Sequence, residues 1–339
     1  MSRSIVIAVV VCACGGGPDK YFIDGPIGDA AGDGTVAGGD GGPSIADACA
    51  TIAMDRCTKL QNCSANDFQV QYGTLEQCLT REELACTDGL GAPDTGATPA
   101  GTIACGAALA AEPCAQFLSP GAPAACVIAG PNSGTCSFEA QCSTEFCAIG
   151  AHAVCGLCEA QPVAGTSCAD NDCGESGLVC DTNNNKCAMP AQVNQACNKT
   201  IPCAHGTSCV GDTNTQNGKC ELQVTTMGGT CDPTRKNAPT CNSDDGLTCN
   251  QSTKKCVARP VVAAGMACGL VNNVETACLG GAHCIIASGR TSGTCIADAM
   301  DGGTCNTTAG PDCTFPARCA WSTSTGPTGT CQLPGTGGC

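Results

Sequence analysis

Aromatic side chains are nearly missing from this chain, which has six Phe, two Tyr and one Trp in 339 residues. From residue 159 onward only Phe315 and Trp321 remain. A stretch without aromatics or long Leu/Ile runs buries too little apolar area to offset the entropy of ordering its chain. That excludes a conventional hydrophobic core for the second half. Positive charge is also scarce, with 15 Lys and Arg against 30 Asp and Glu, a formal net charge of −15. Basic pairs occur only at Arg235-Lys236 and Lys254-Lys255. Nucleic-acid binding needs a concentrated basic surface, and aromatic platforms if the target is single-stranded. No nucleic-acid partner is expected, and the acidic surplus reads as a solvated exterior.

Catalytic equipment is thin as well. Nucleophilic catalysis calls for a nucleophile, a base and an orienting acid, and the base is most often His. The chain has three His, no Gly-x-Ser-x-Gly elbow and no glycine-rich phosphate loop before a helix. Glu82-Glu83 reads as part of a solvated helix surface. No enzyme and no cofactor are expected.

What the chain has is cysteine. Its 36 Cys exceed a tenth of all residues, the density of a disulfide scaffold. Cross-links stand in for a core in small folds of this kind. Disulfides persist in oxidising compartments, so export is expected. The N-terminus agrees: Arg3 precedes an apolar run from Ile5 to Val11, far short of the ~18 residues that span a bilayer. That run suits a signal peptide over residues 1–13.

The tetrad Val11-Cys12-Ala13-Cys14 resembles a bacterial lipobox, which implies lipidation at Cys14 and a membrane partner through that anchor. Gly15 after the Cys, in place of Asp, points by the same resemblance to the outer membrane or cell surface. Residues 14–43 are rich in Gly and Asp and read as a flexible tether. Asp24, Asp29, Asp33 and Asp40 lack the alternating spacing of an EF-hand.

A change of pattern at Ser44 opens an eight-cysteine helical module over 44–128. Ile45, Cys49, Ile52, Ala53, Cys57 and Leu60 recur at three and four, the period of an amphipathic helix, with Ser44 or Asp47 as cap. Thr74, with Gln77 at capping-box spacing, starts a second helix, and Thr98-Pro99 starts a third.

Residues 129–160 hold a five-cysteine unit: Cys136, Cys142, Cys147, Cys155 and Cys158. Five four-cysteine repeats follow over 161–339. They are Cys168-Cys173-Cys180-Cys187, Cys197-Cys203-Cys209-Cys220, Cys231-Cys241-Cys249-Cys256, Cys268-Cys278-Cys284-Cys295 and Cys305-Cys313-Cys319-Cys331. Their first cysteines lie 29, 34, 37 and 37 residues apart, a tandem period. Four repeats place Gly two or three residues before the first Cys; the one beginning at Cys197 does not. Turn formers such as Asp181-Thr182-Asn183-Asn184-Asn185 between third and fourth Cys read as a small β-hairpin.

The expected fold is therefore small disulfide-rich modules, an N-terminal stapled helical domain followed by a tandem array of short β-hairpin repeats. Four Cys allow three connectivities. First-to-third with second-to-fourth is the simplest that ties the opening strand to the hairpin. Cys339 is left over and completes the odd unit arithmetically. A linear array couples mainly neighbours, so an elongated shape is expected.

Thr98-Pro99 to Cys105, Cys114 and Ala125-Cys126, with Gly134-Thr135-Cys136, Cys142, Phe146-Cys147 and Cys155-Gly156-Leu157-Cys158, resemble cysteine-rich lipoproteins of myxobacteria. The later units resemble the Dickkopf N-terminal cysteine-rich domain and, more loosely, EGF-like hairpins. The resemblance lies in cysteine order and implies compartment and architecture, with no activity carried over.

Other motifs have bland readings. Cys155-Gly156-Leu157-Cys158 lacks the matching pair of a zinc site, and in an oxidising compartment it is bridged. Asp181-x-Asn183-x-Asn185 has Lys186 where a calcium loop needs Gly. Sequons start at Asn62, Asn198, Asn250 and Asn306. The function expected is a structural or adhesive array with an extracellular protein or glycan as ligand. The alternative is a secreted protein of the protease-inhibitor or enzyme-accessory type.

Overall fold

The computed structural model describes residues 42–339 except 120, 151, 169–172, 174–176, 182–183, 199–200, 214–215, 322–325 and 336–338. The expected signal peptide, Cys14 and nearly all of the expected tether lie outside the described residues.

Five helices open the described chain: α1 (Ile45–Cys63), α2 (Ala65–Gln71), α3 (Leu75–Gly91), α4 (Pro99–Ala111) and the single turn α5 (Cys114–Phe117). Hydroxyl caps set four of the starts, each accepting the N–H three residues on: Ser44 from Asp47, Ser64 from Asp67, Thr74 from Gln77 and Thr98 from Gly101. Ser64 also ends α1, donating its own N–H to Leu60 O at 2.8 Å. α1 buries Ala48, Cys49, Ile52, Ala53, Cys57 and Leu60 along one stripe. On α1 and on α3 two cysteines stand eight residues apart, two turns along one face. Running antiparallel, the helices join Cys49 to Cys86 and Cys57 to Cys78. Cys63–Cys114 and Cys105–Cys126 fasten α5 and the segment after it. α4 comes close to α1 at Gly106, where a β-carbon would sit 3.2 Å from Ile52 Cα.

From residue 132 the chain is a series of six like repeats, because the five-cysteine unit is itself a repeat with Cys155 added. We number them 1 to 6 by first cysteine, at 136, 168, 197, 231, 268 and 305. In every one, first Cys bonds third and second bonds fourth. Third and fourth Cys lie directly opposite each other on an antiparallel hairpin, for example Cys209↔Cys220 and Cys319↔Cys331. Their side chains share one face and reach the other two cysteines from there. The opening segment pairs with the far side of the fourth-Cys strand, as Cys197↔Gly218 and Cys305↔Gly329. An extended residue ahead of five repeats pairs in parallel with the second Cys: Asn132, Ala191, Val224, Val262 and Ala299.

Each repeat buries little besides its sulfur and an occasional Leu or Ala, such as Leu178 in repeat 2 and Leu247 in repeat 4. The bridges close loops of 11 to 18 residues. In the chain-entropy model each contributes roughly 3 kcal/mol.

The array is not the free, elongated row that its period suggests. Cys155 of repeat 1 bonds Cys339, 184 residues on, and closes the series into a circuit. His152 stacks on Trp321 of repeat 6 at the same seam, centroids 3.5 Å apart and planes 11° from parallel. The helical module docks on four repeats. Gly96 N–H donates to Ala140 O of repeat 1 at 2.7 Å, and Gly280 N–H of repeat 5 donates to Gln69 O at 2.8 Å. Gly246 of repeat 4 lies against Asn66, and Phe315 of repeat 6 packs edge-on to Tyr72. Ala140 and Phe315 of the array pack against the core of the helical module.

Candidate interaction surface

Groups of three sulfur atoms lie close together, as Cys136, Cys142 and Cys147, but only because two disulfides sit side by side. Cys155 and Cys158 of the CxxC are bridged to Cys339 and Cys142, leaving no thiolate for a ligand.

The three histidines all stand at seams between repeats. His152 is in the stack with Trp321. His205 of repeat 3 meets Asp244 of repeat 4 at 2.7 Å. His283 of repeat 5 meets Asp298, in the segment leading to repeat 6, at 2.6 Å. The hydrogen bond to Asp298 holds the His283 pKa above the usual imidazole range, helped by the charges of Asp298 and Asp312 and by the Gly310 carbonyl. The Asp298 carboxylate and the Gly310 carbonyl both favour the protonated ring over a free base. The geometry is that of a charged clamp.

Glu82 departs from the solvated surface expected of it. It is buried, 3.3 Å from Arg56 Nε, and accepts a hydrogen bond from the Tyr72 hydroxyl. Its turn of α3 faces α1 and α2, so helix phase decides the burial and the local sequence does not announce it. Burial, followed by the Glu82 charge, pushes the Tyr72 phenol well above its usual pKa. Asp67 is likewise raised, chiefly by burial where α2 meets Asp244. The cavity beside this pair, between Ile52, Leu109, Ile128 and Ala140, encloses about 50 Å³. Ligand pockets run to several hundred Å³, and this one has room for a few waters at most.

Asp181, the first residue of the calcium-like triplet, caps its hairpin turn, accepting from Asn184 Nδ2 at 2.7 Å. Two of the four sequons have the same origin. Asn306 Oδ1 accepts the N–H groups of Thr308 and Ala309, and Asn250 Oδ1 those of Ser252 and Thr253. At these two positions Asn closes a short loop with its side chain, whereas Asn62 lies in the last turn of α1.

The surface that repeats is the opening turn. In repeats 2 to 6 the residue five before the first Cys accepts from the N–H two before it: Val163 O from Thr166, Gln192 O from Gln195, Thr226 O from Gly229, Ala263 O from Met266 and Met300 O from Gly303. Between them stands a left-handed residue: Gly165, Asn194, Gly228, Gly265 and Gly302, with φ of 91°, 71°, 77°, 86° and 78°. A turn of this kind requires positive φ at its third position. Asn194, where the repeat lacks its Gly, is the other residue that accepts it.

Each left-handed N–H donates to the carbonyl of the fourth Cys at 2.7 to 2.8 Å, clamping the turn onto the hairpin. The turns carry aliphatic residues in solvent: Val163, Met227, Met266 and Met300 are 68%, 70%, 56% and 64% exposed. Val193 of repeat 3 and nearby Met189 are exposed as well. Sequence reading missed these side chains; the available signal was Met beside the recurring Gly.

Comparison with family models, with curated proteins and with solved structures finds no match.

Proposed function

We propose that the chain is an envelope- or surface-attached lipoprotein whose repeats serve as a non-catalytic binding array for an extracellular protein. One observation carries the reading: five consecutive repeats present the same rigid turn, with an aliphatic side chain held in water on each. Solvent-exposed Met and Val gain by burial against another apolar surface. Disulfide-fixed turns lose little freedom when they bind, and several weak contacts on one chain add by effective concentration. Phe315 and Trp321 are already engaged with Tyr72 and His152, which disfavours stacking on sugar rings. The anchor rests on the lipobox-like Val11-Cys12-Ala13-Cys14 and the tether after it.

Two measurements test this. Cys14→Ser should shift the protein from the membrane to the soluble fraction, and unchanged fractionation removes the anchor. Beads coated with the full chain should retain intact cells, with retention falling stepwise as Val163, Met227, Met266 and Met300 are changed to Ser. Retention indifferent to those changes, or inhibition of an extracellular protease by the soluble chain, sinks the array reading.

A further inference from the structure

We propose that Cys155–Cys339 is an exchange site for dithiols, cut selectively by an exported dithiol oxidoreductase, so that the circuit of repeats opens while the other bridges stay closed. Its position is the first ground. Every other bridge of the array lies inside one repeat, and those of the helical module lie inside that module. Only Cys155–Cys339 joins two repeats, and it spans 184 residues.

Access is the second ground. Cys339 is exposed and Cys155 half-buried. The bridges within repeats each have a cysteine sealed in their small core, as Cys136, Cys197, Cys256, Cys268 and Cys305 at 0% exposure. Cys63–Cys114 alone shares the openness of the seam bridge. The two differ in surroundings: Cys339 Sγ lies 2.7 Å from Ser137 Oγ, and since a bridged sulfur carries no proton the hydroxyl is the donor. Thiol–disulfide exchange runs faster as the leaving thiolate is better stabilised. A hydroxyl already hydrogen-bonded to that sulfur supplies such stabilisation at the moment the bond breaks.

The step balances as an ordinary two-electron exchange. The attacking thiolate bonds Cys155 Sγ, the bond to Cys339 breaks, and Cys339 leaves as a thiolate that accepts the Ser137 hydrogen bond. The second thiol of the dithiol then displaces Cys155. The reductant ends as a disulfide, and Cys155 and Cys339 end as thiols with its two protons. What remains at the seam is the His152–Trp321 stack, one hydrogen bond from the Trp321 backbone N–H to His152 O at 3.4 Å, and the hydroxyls of Thr135 and Ser137 against the Cys339 carbonyl and sulfur. Repeat 6 stays tethered to the helical module through Arg81.

The oxidised full-length protein is titrated with dithiothreitol, and in parallel with purified thioredoxin, then alkylated and mapped by mass spectrometry. Trp321, the only Trp, reports the seam by fluorescence. Cys155 and Cys339 should be alkylated together about tenfold faster than any other pair, with the Trp321 change at the same rate. Ser137→Ala should slow that pair several-fold and leave Cys63–Cys114 unchanged. Prior or simultaneous reduction of Cys63–Cys114 or of bridges inside repeats overturns the proposal. So does a rate indifferent to Ser137→Ala.

Discussion

Arg81 on α3 grips Asp301 of repeat 6 through two parallel hydrogen bonds, 2.9 Å from Nη1 to Oδ2 and 2.6 Å from Nη2 to Oδ1. The same guanidinium donates to the carbonyls of Thr314, at 3.0 Å, and Phe315. One side chain thus satisfies a carboxylate and two main-chain acceptors across the interface between helices and array. Planar bidentate pairing of this kind is a property of Arg that Lys does not share.

Arg81→Met should therefore weaken the docking of repeat 6 by about 2 kcal/mol, since two half-buried carbonyls lose their donor while solvent screens the charge part. Asp301 keeps a third of its side chain in water, which sets the figure near the low end. Hydrogen exchange should rise around residues 312–319, with α1, α3 and their two bridges unaffected. Unchanged exchange there would show that Phe315 on Tyr72 suffices.

Asn194 offers a test of backbone conformation alone. Its φ of 71° and its bond to the Cys220 carbonyl put it where the other repeats have Gly. Asn194→Gly should be tolerated. Asn194→Val should destabilise repeat 3 by roughly 1–3 kcal/mol, because a β-branched side chain clashes in the left-handed region. Limited proteolysis should find new cuts near residues 190–200 in the Val variant and none in repeats 5 and 6.

The seam between repeats 5 and 6 should respond to pH. His283 faces Asp298, Asp312 and the Gly310 carbonyl, and its folded pKa lies above the ordinary imidazole value of 6.5. The charged clamp is thus fully present below pH 6.5 and fades as pH rises through the raised value. Exchange protection at residues 281–300 should be greater at pH 5.5 than at pH 8.5, and His283→Gln should flatten the difference. Protection that grows with pH would contradict the assigned sign.

Local cross-linking makes a local prediction. Removing Cys231–Cys249 by a double change to Ser should cost roughly 3 kcal/mol within repeat 4, from the 18-residue loop it closes. Repeats couple through a few hydrogen bonds, between repeats 3 and 4 those of Gly211 N–H to Arg235 O, Thr240 N–H to Ser208 Oγ and His205 to Asp244. Loosening should therefore reach repeat 3 and the contact of Gly246 with Asn66, and spare repeats 1 and 2. Disulfide mapping with exchange by segment reads both.

What the sequence determined by itself was whatever depends on residue type and short spacing. Cysteine density against two late aromatics requires bridges in place of a core. Ser44, Thr74 and Thr98 start helices through side-chain oxygens that reach three residues forward. Four cysteines per repeat leave three connectivities open, the crossed one being the simplest, and the hairpin that sets third against fourth Cys decides for it. α2 escaped notice because a single Ser64 both ends one helix and starts the next. Asn194 escaped because its role is a dihedral angle, which Gly advertises and Asn does not.

Only the tertiary structure decided the rest. Whether Glu82 faces water or Arg56 depends on the rotation of α3 against α1. Whether the array runs free or closes depends on where Cys339 arrives after five more repeats. Turn angles accumulate over that distance, and no local pattern records their sum.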